Sequence, residues 1–291
     1  MKSIVVRSLS GFVYVALIIA SLLWGGEWAY PLVCALLAAF GVLEINHLSF
    51  GGQPKTKAER TVLAIDIIGA AALFTAIGCS CAYTSAFTIA SGILGGIAFL
   101  YFLARAIVQL YIPITNPIKS LLTSYGGYMY IVCPLLASAG ILVAFNAGML
   151  LTIFLMIWSN DTGAYLAGIS MGRHKLCERI SPKKTWEGFI GGMLLCTAAA
   201  IASYYLLDGP FRIGISSVLP SKGLELWQII VIGITVSIVA TWGDLVESLL
   251  KRAAHVKDSG HVIPGHGGIL DRIDSLLLVM PWMLFLLILM Y

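Results

Sequence analysis

The chain has 291 residues, of which 59% are hydrophobic and 11% charged, with a formal net charge of +4. Soluble domains carry roughly a quarter charged residues, so this composition excludes a soluble multidomain protein. Apolar runs of about 20 residues recur along the whole length without alternating in polarity, which excludes a porin-like barrel and leaves an all-α, polytopic membrane protein.

The first element is a short basic stretch, Lys2 and Arg7, followed by an apolar run to Leu23. No small-x-small cleavage site precedes Trp24, so the run reads as an uncleaved first helix and not a signal peptide. Hydropathy predicts about nine spans, near 4–23, 29–48, 62–80, 86–104, 120–143, 148–168, 188–206, 226–250 and 275–290. The links Trp24–Trp28 and Ser80–Ser85 are tight, and Ser49–Thr61 is polar. Pro113 and Pro117 break the helix between Tyr111 and Lys119. Asp66 stands among apolar residues near the start of the third span and reads as an interfacial or helix-pairing residue. The six cysteines lie mostly inside apolar runs and read as buried, hydrophobe-like thiols.

Orientation follows from the cations. With the N-terminus in the cytoplasm, 16 of the 18 Lys and Arg residues fall on the cytoplasmic side, and only Arg212 and Lys222 on the other. Both long cytoplasmic segments, Ile169–Glu187 and Lys251–Ile273, lie in the second half. Residues 1–147 are therefore expected to form a scaffold of about five helices. Residues 148–291 are expected to hold about four helices and the active part. No internal repeat is apparent, and no nucleic-acid partner is expected.

The eighth span ends in a polar stripe. Asp244, Glu247 or Ser248, and Lys251 are three, four and seven apart, so they share one helix face over roughly 10 Å. Carboxylates inside a membrane are costly and usually serve a function; the bland alternative is a carboxylate–Lys251 pair that satisfies itself at the interface. The segment Ser248–Asp274 holds four cations, three carboxylates and three histidines in 27 residues. Its Pro264-Gly-His266-Gly267-Gly268 turn allows backbone N–H groups to approach an anion. Asp271 and Asp274 are three apart at the start of the last span. Carboxylates mixed with many cations suggest a divalent metal bound with phosphates, and Mg²⁺ suits such hard oxygen ligands. His255, His261 and His266 do not fit a zinc motif. Asn160-Asp161-Thr162 adds an acidic group near the membrane. In the segment that follows, Ser181 or Thr185 is expected to cap the seventh helix, with Pro182 near its first turn. There Lys183 and Lys184 would make an anion site. An ordinary positive-inside loop is the alternative.

These residues resemble a known signature. Ser248-x-Leu-Lys-Arg-x4-Lys-Asp-x-Gly-x2-Ile-Pro-x-His-Gly-Gly-Ile-x-Asp-Arg-Ile-Asp274 is similar to that of the phosphatidate cytidylyltransferase (CDP-diacylglycerol synthase) family, without departure over its 27 positions. Asn160-Asp-Thr-x-Ala-Tyr165 and Ser181-Pro-Lys-Lys-Thr-Trp-Glu-Gly188 resemble further family segments in the expected order. The resemblance is strong over 148–291. It implies a Mg²⁺-dependent reaction of CTP with phosphatidate, giving CDP-diacylglycerol and pyrophosphate. A second cation such as K⁺, a homodimer and a site open to both cytosol and membrane lipids are implied with it. It makes Asp244 and Asp271 metal ligands, with Asp161, Glu247 and Asp274 as ligands or supporting partners. Lys251, Arg252, Lys257 and Arg272 would hold phosphates, and Asp244, Lys251, Asp271 and Arg272 would be catalytic. Lys183 and Lys184 would bind the triphosphate or the lipid head, Ser248 a phosphate, and His266, Gly267 and Gly268 would shape the anion loop. A bacterial inner membrane is favoured, because no targeting extension is present. The competing readings are a CTP-dependent polyprenol or phytol kinase, an ether-lipid cytidylyltransferase and, in another class, a transporter.

Overall fold

A computed structural model describes residues 2–52, 56–83, 87–206, 224–260, 262 and 267–290. Its helices are α1 (Lys2–Leu23), α2 (Gly26–Phe50), α3 (Lys57–Tyr83), α4 (Phe87–Tyr111), α5 (Pro117–Gly127), α6 (Cys133–Ala144), α7 (Ala147–Met171), α8 (Trp186–Leu206), α9 (Leu226–Ala253) and α10 (Leu270–Met290). A π-helical turn, Tyr128–Val132, joins α5 to α6 without a break. Among the described residues, five helical stretches are long and apolar enough to cross a membrane: Trp28–Phe50, Pro117–Ala144, Trp186–Tyr205, Leu226–Ala253 and Leu270–Met290. The protein is a helical membrane protein. The link Ser80–Ser85 lies partly outside the described residues.

The chain divides into two compact units. Residues 1–139 and 254–272 form the first, and residues 140–253 and 273–291 the second.

In the first unit, helix ends follow local chemistry. Thr56 and Glu59 bond reciprocally to each other's backbone N–H at 3.1 and 3.2 Å, a capping box that starts α3. Asn116 caps α5, and Pro117 occupies its first turn. Asp66 does not stand alone. Its Oδ1 accepts from Tyr101 Oη at 2.9 Å and Arg105 Nε at 3.2 Å on α4, and its Oδ2 accepts from Ser124 Oγ at 2.6 Å on α5. The Arg105 guanidinium also donates to Ser120 and Gln109. Arg105 is completely buried and joins α3, α4 and α5.

In the second unit, α7 packs on α8, and α8 on α9. Small residues make the α7–α8 contact: Cβ atoms at Gly163 and Gly191 would run into the facing helix backbone and Ala167. The helical fold carries one small sheet. Between α7 and α8 the strands β1 (Lys175–Cys177) and β2 (Ser181–Thr185) form an antiparallel hairpin, with Lys175 opposite Thr185. Pro182 therefore sits in a strand of a two-stranded sheet, where a missing N–H is tolerated, and not in the first turn of α8. Thr185 caps α8, its Oγ1 accepting from Gly188 N at 3.1 Å. Ser181 lies in β2.

Cys34, Cys133, Cys177 and Cys196 are free thiols; Cys34 and Cys196 are fully buried, and Cys133 and Cys177 half-buried.

Candidate active site

The buried face of α9 runs through Ile229, Ile232, Val236, Ala240, Gly243 and Glu247, with the three-and-four spacing of one helix face. Near the C-terminal end that same face turns polar and carries Asp244, Glu247, Ser248 and Lys251. The stripe thus faces protein and not lipid. Glu247 has no exposed surface, and Ser248 is 8% exposed.

Gly243 brings α10 against this stripe. A Cβ there would lie 2.9 Å from the Asp274 carbonyl oxygen and 3.1 Å from Ser275 Cα. The close approach places one carboxylate oxygen each of Asp244, Glu247 and Asp274 within 4.8 Å of one another. Replacing Gly243 with Val is expected to force the two helices apart, at about 1–3 kcal/mol, and to abolish the cluster. Thermal unfolding and turnover of the variant check this; wild-type values in both would refute it.

Three carboxylates this close repel one another unless cations or a metal intervene. Two lysines do so. Lys184 Nζ pairs with Asp244 Oδ2 at 2.7 Å and donates to the Thr241 carbonyl at 3.3 Å. Lys251 pairs with Glu247 one turn away. Ser248 Oγ donates to Asp244 Oδ1 at 3.2 Å. Three carboxylates thus stand beside two ammonium groups. The donors are all hard oxygens with no sulfur or imidazole among them, so the set fits a divalent cation of the Mg²⁺ type better than Zn²⁺.

Lys184 reaches Asp244 because the hairpin is anchored. Glu187, in the first turn of α8, accepts from the backbone N–H of Arg173 and His174 at 3.1 and 3.2 Å, and its Oε1 lies 2.6 Å from His174 Nδ1. Arg252 Nε donates to the Ile180 carbonyl at the hairpin tip. Together α7, the hairpin, α8 and α9 line an open cavity of about 290 Å³. Its polar wall contains Asn160, Asp161, Lys183, Lys184, Thr241 and Asp244, and its apolar wall includes Leu176 and Phe189. Asn160 is held by Ser237 Oγ, which donates to its Oδ1 at 2.6 Å.

The remaining expected residues belong to the first unit. Lys257, Asp258 and Arg272 are exposed. His266 lies outside the described residues. Asp271 Oδ2 accepts from Ser259 N at 2.9 Å and Gly268 N at 2.8 Å, and lies 2.9 Å from Ser259 Oγ. Gly268 N, at the end of the glycine turn, thus meets a carboxylate of the chain itself. A second carboxylate escaped the sequence reading. Glu44, on α2, accepts from Ile269 N at 2.8 Å, Leu270 N at 2.9 Å and Ser259 Oγ at 2.8 Å. A carboxylate inside an apolar run was its only sequence signal.

Comparison with known proteins agrees with the chemistry of these residues. The sequence model of the cytidylyltransferase family matches residues 5–290. A phosphatidate cytidylyltransferase of Staphylococcus haemolyticus (strain JCSC1435) is 45% identical over 139 residues, 48% of this chain and 48% of the relative. The proteins of the same name from Staphylococcus aureus (strain COL) and Staphylococcus saprophyticus are 44% and 45% identical over the same length. Each alignment takes in about half the length of the relative. The family match, by contrast, runs nearly end to end, and on that ground the chain belongs to the cytidylyltransferase family.

Proposed function

We propose that the protein transfers the cytidylyl group of CTP to phosphatidate, forming CDP-diacylglycerol and pyrophosphate. The observation that carries this reading is the Asp244–Glu247–Asp274 cluster with Lys184 and Lys251 upon it. The name of the relatives supplies the acceptor, and the family supplies the nucleotide chemistry.

In this reaction a phosphate oxygen of the lipid attacks the α-phosphorus of CTP. The bond from that phosphorus to the bridging oxygen breaks, and pyrophosphate leaves with its electrons. The nucleophile is already an anion, so no strong base is needed. The protein's tasks are alignment and charge neutralisation. Lys183 and Lys184 face the cavity and would hold phosphate oxygens. Ser248 and Asn160 would orient them. Lys251 would keep Glu247 in place, and Arg252, beside the hairpin tip, and Lys257 would take phosphate charge. Asp244, Glu247 and Asp274 would hold Mg²⁺, with Asp161 as a further ligand or a partner of the ligands. That ion supplies positive charge against the phosphates when bound. A second cation such as K⁺ belongs to the same reading. Asp271 and Arg272 keep the roles that the resemblance gives them, metal ligand and phosphate contact.

The reading further holds that nine spans cross the membrane with the N-terminus inside. The site would open on the cytoplasmic side of a bacterial inner membrane, and two copies would form a homodimer. Exposed Trp186 and Trp242, joined edge-to-face through Phe189 beside the cavity, support a position at headgroup depth.

CTP labelled at either the α- or the γ-phosphate, given to purified protein with phosphatidate, tests the proposal. The α-label is expected in lipid, only when Mg²⁺ is present. Entry of the γ-label would instead identify a kinase. Absence of both labels from every phospholipid offered would reject lipid transfer.

A further inference from the structure

Glu44 belongs to α2, far in sequence from the signature, and is 1% exposed. A carboxylate buried in this way is retained only where strong donors meet it. Here the donors are the backbone N–H groups of Ile269 and Leu270, at the start of α10, and the Ser259 hydroxyl. The first N–H groups of a helix have no partner within it, and a negative charge there is favoured by the aligned peptide dipoles. Ser259 Oγ also lies 2.9 Å from Asp271 Oδ2, so one hydroxyl bridges Glu44 and Asp271.

The glycines of this segment are shaped around the same two carboxylates. Gly267 has φ of 84°, and a Cβ there would lie 2.6 Å from Asp271 Oδ2. At Gly260 a Cβ would lie 2.6 Å from Glu44 Oε1. At Gly268 it would run into both Ser259 Oγ and Glu44 Oε2. Side chains at these positions would push the carboxylates off the N–H groups they satisfy.

We infer that Glu44 is a positioning residue: it occupies the anion position at the N-terminus of α10 and, through Ser259 and the Gly268–Leu270 backbone, sets the place of Asp271. The structural part rests on Glu44's own hydrogen bonds. The catalytic part rests on the proposed cytidylyl transfer.

The test uses the full chain in detergent and compares wild type, Glu44→Gln and Tyr30→Phe. Tyr30 lies on the same helix, and its hydroxyl bonds to Ser138 Oγ at 2.9 Å, so its variant reports a buried loss elsewhere on α2. A Gln amide offers one acceptor oxygen where the carboxylate offers two, so the two α10 N–H groups cannot both be satisfied as before. Hydrogen exchange of residues 268–270 is expected to rise about tenfold in Glu44→Gln and to stay at the wild-type level in Tyr30→Phe. Turnover at saturating CTP should fall about tenfold or more in Glu44→Gln, with the CTP KM changed less than about threefold. Wild-type exchange in Glu44→Gln overturns the inference. Raised exchange with wild-type turnover makes Glu44 structural only and also overturns it. If wild type itself does not turn over, the functional proposal fails, while exchange still decides whether Glu44 sets this segment. Should Glu44→Gln not fold, Ser259→Ala, which removes only the bridge, is expected to raise exchange at the same residues; unchanged exchange there overturns the inference.

Discussion

Asp244→Asn is expected to lower cytidylyl transfer by about 10²–10³-fold, the range seen when one preorganised charged or polar group is removed from a reaction centre. The substitution keeps volume and helix geometry but removes the charge that pairs with Lys184 at 2.7 Å. It also removes one of the three carboxylates that gather at the α9–α10 contact. Fold stability should behave differently. The Lys184–Asp244 pair is partly exposed, and such pairs contribute about 0–1 kcal/mol. Against that loss stands the relief of repulsion from Glu247 and Asp274. The unfolding transition should therefore move by less than about 1 kcal/mol while turnover collapses, the trade-off expected where charge is crowded for function. Initial rates over a Mg²⁺ titration, together with thermal unfolding, check both halves. Turnover within about threefold of wild type would remove Asp244 from the metal set.

The second large effect is on stability. Arg105→Ala is expected to destabilise the first unit by about 3–5 kcal/mol, because Asp66 would stay buried as an uncompensated charge. Asp66 is 2% exposed, and Arg105 has no exposed surface. The pair should be costly to break and cheap to replace whole. A double variant, Asp66→Leu with Arg105→Met, is expected to recover most of the loss, since apolar side chains of similar volume carry no desolvation cost. Ser124 can still donate to the Ser120 carbonyl at 3.1 Å in that background. Denaturant unfolding of Asp66→Leu, Arg105→Met and the double variant gives the coupling energy. A loss below about 1 kcal/mol for Arg105→Ala would show that water or rearranged side chains compensate Asp66.

What could be read from sequence divides along physical lines. The polar stripe of α9 was legible because helical spacing puts residues three and four apart on one face whatever the tertiary fold. The pairing of Lys251 with Glu247 falls within that spacing. That Lys184 is the partner of Asp244 was not legible, because it depends on the hairpin. Strands of three and five residues rich in Lys, Ser and Pro show no period, so the segment reads as a loop with a helix cap. Of the two cap candidates, Ser181 and Thr185, the helix uses Thr185. The glycine turn shows a different limit. Glycine reports that an oxygen must come close to backbone N–H groups, and it does not report whose oxygen. At Gly268, Ile269 and Leu270 the oxygens belong to Asp271 and Glu44. Glu44 and Ile269 are 225 residues apart, and a single carboxylate in an apolar run names no partner. Asp66 was flagged by the same signal, and its partners were hidden for the same reason.

The π-helical turn at Tyr128–Val132 gives the α5–α6 stretch a property that a plain helix lacks. Ser120 and Ser124, before the turn, serve Arg105 and Asp66. Ser138, after it, serves Tyr30 on α2. A wide turn takes up one extra residue, worth about 100° of rotation at 3.6 residues per turn. The five residues therefore act as a phase shifter, so that one continuous rod addresses two polar networks at different azimuths. Loss of a single residue here would leave hydropathy and composition almost untouched. It would nevertheless put the two sets of serines out of step, so that one network could form only at the expense of the other.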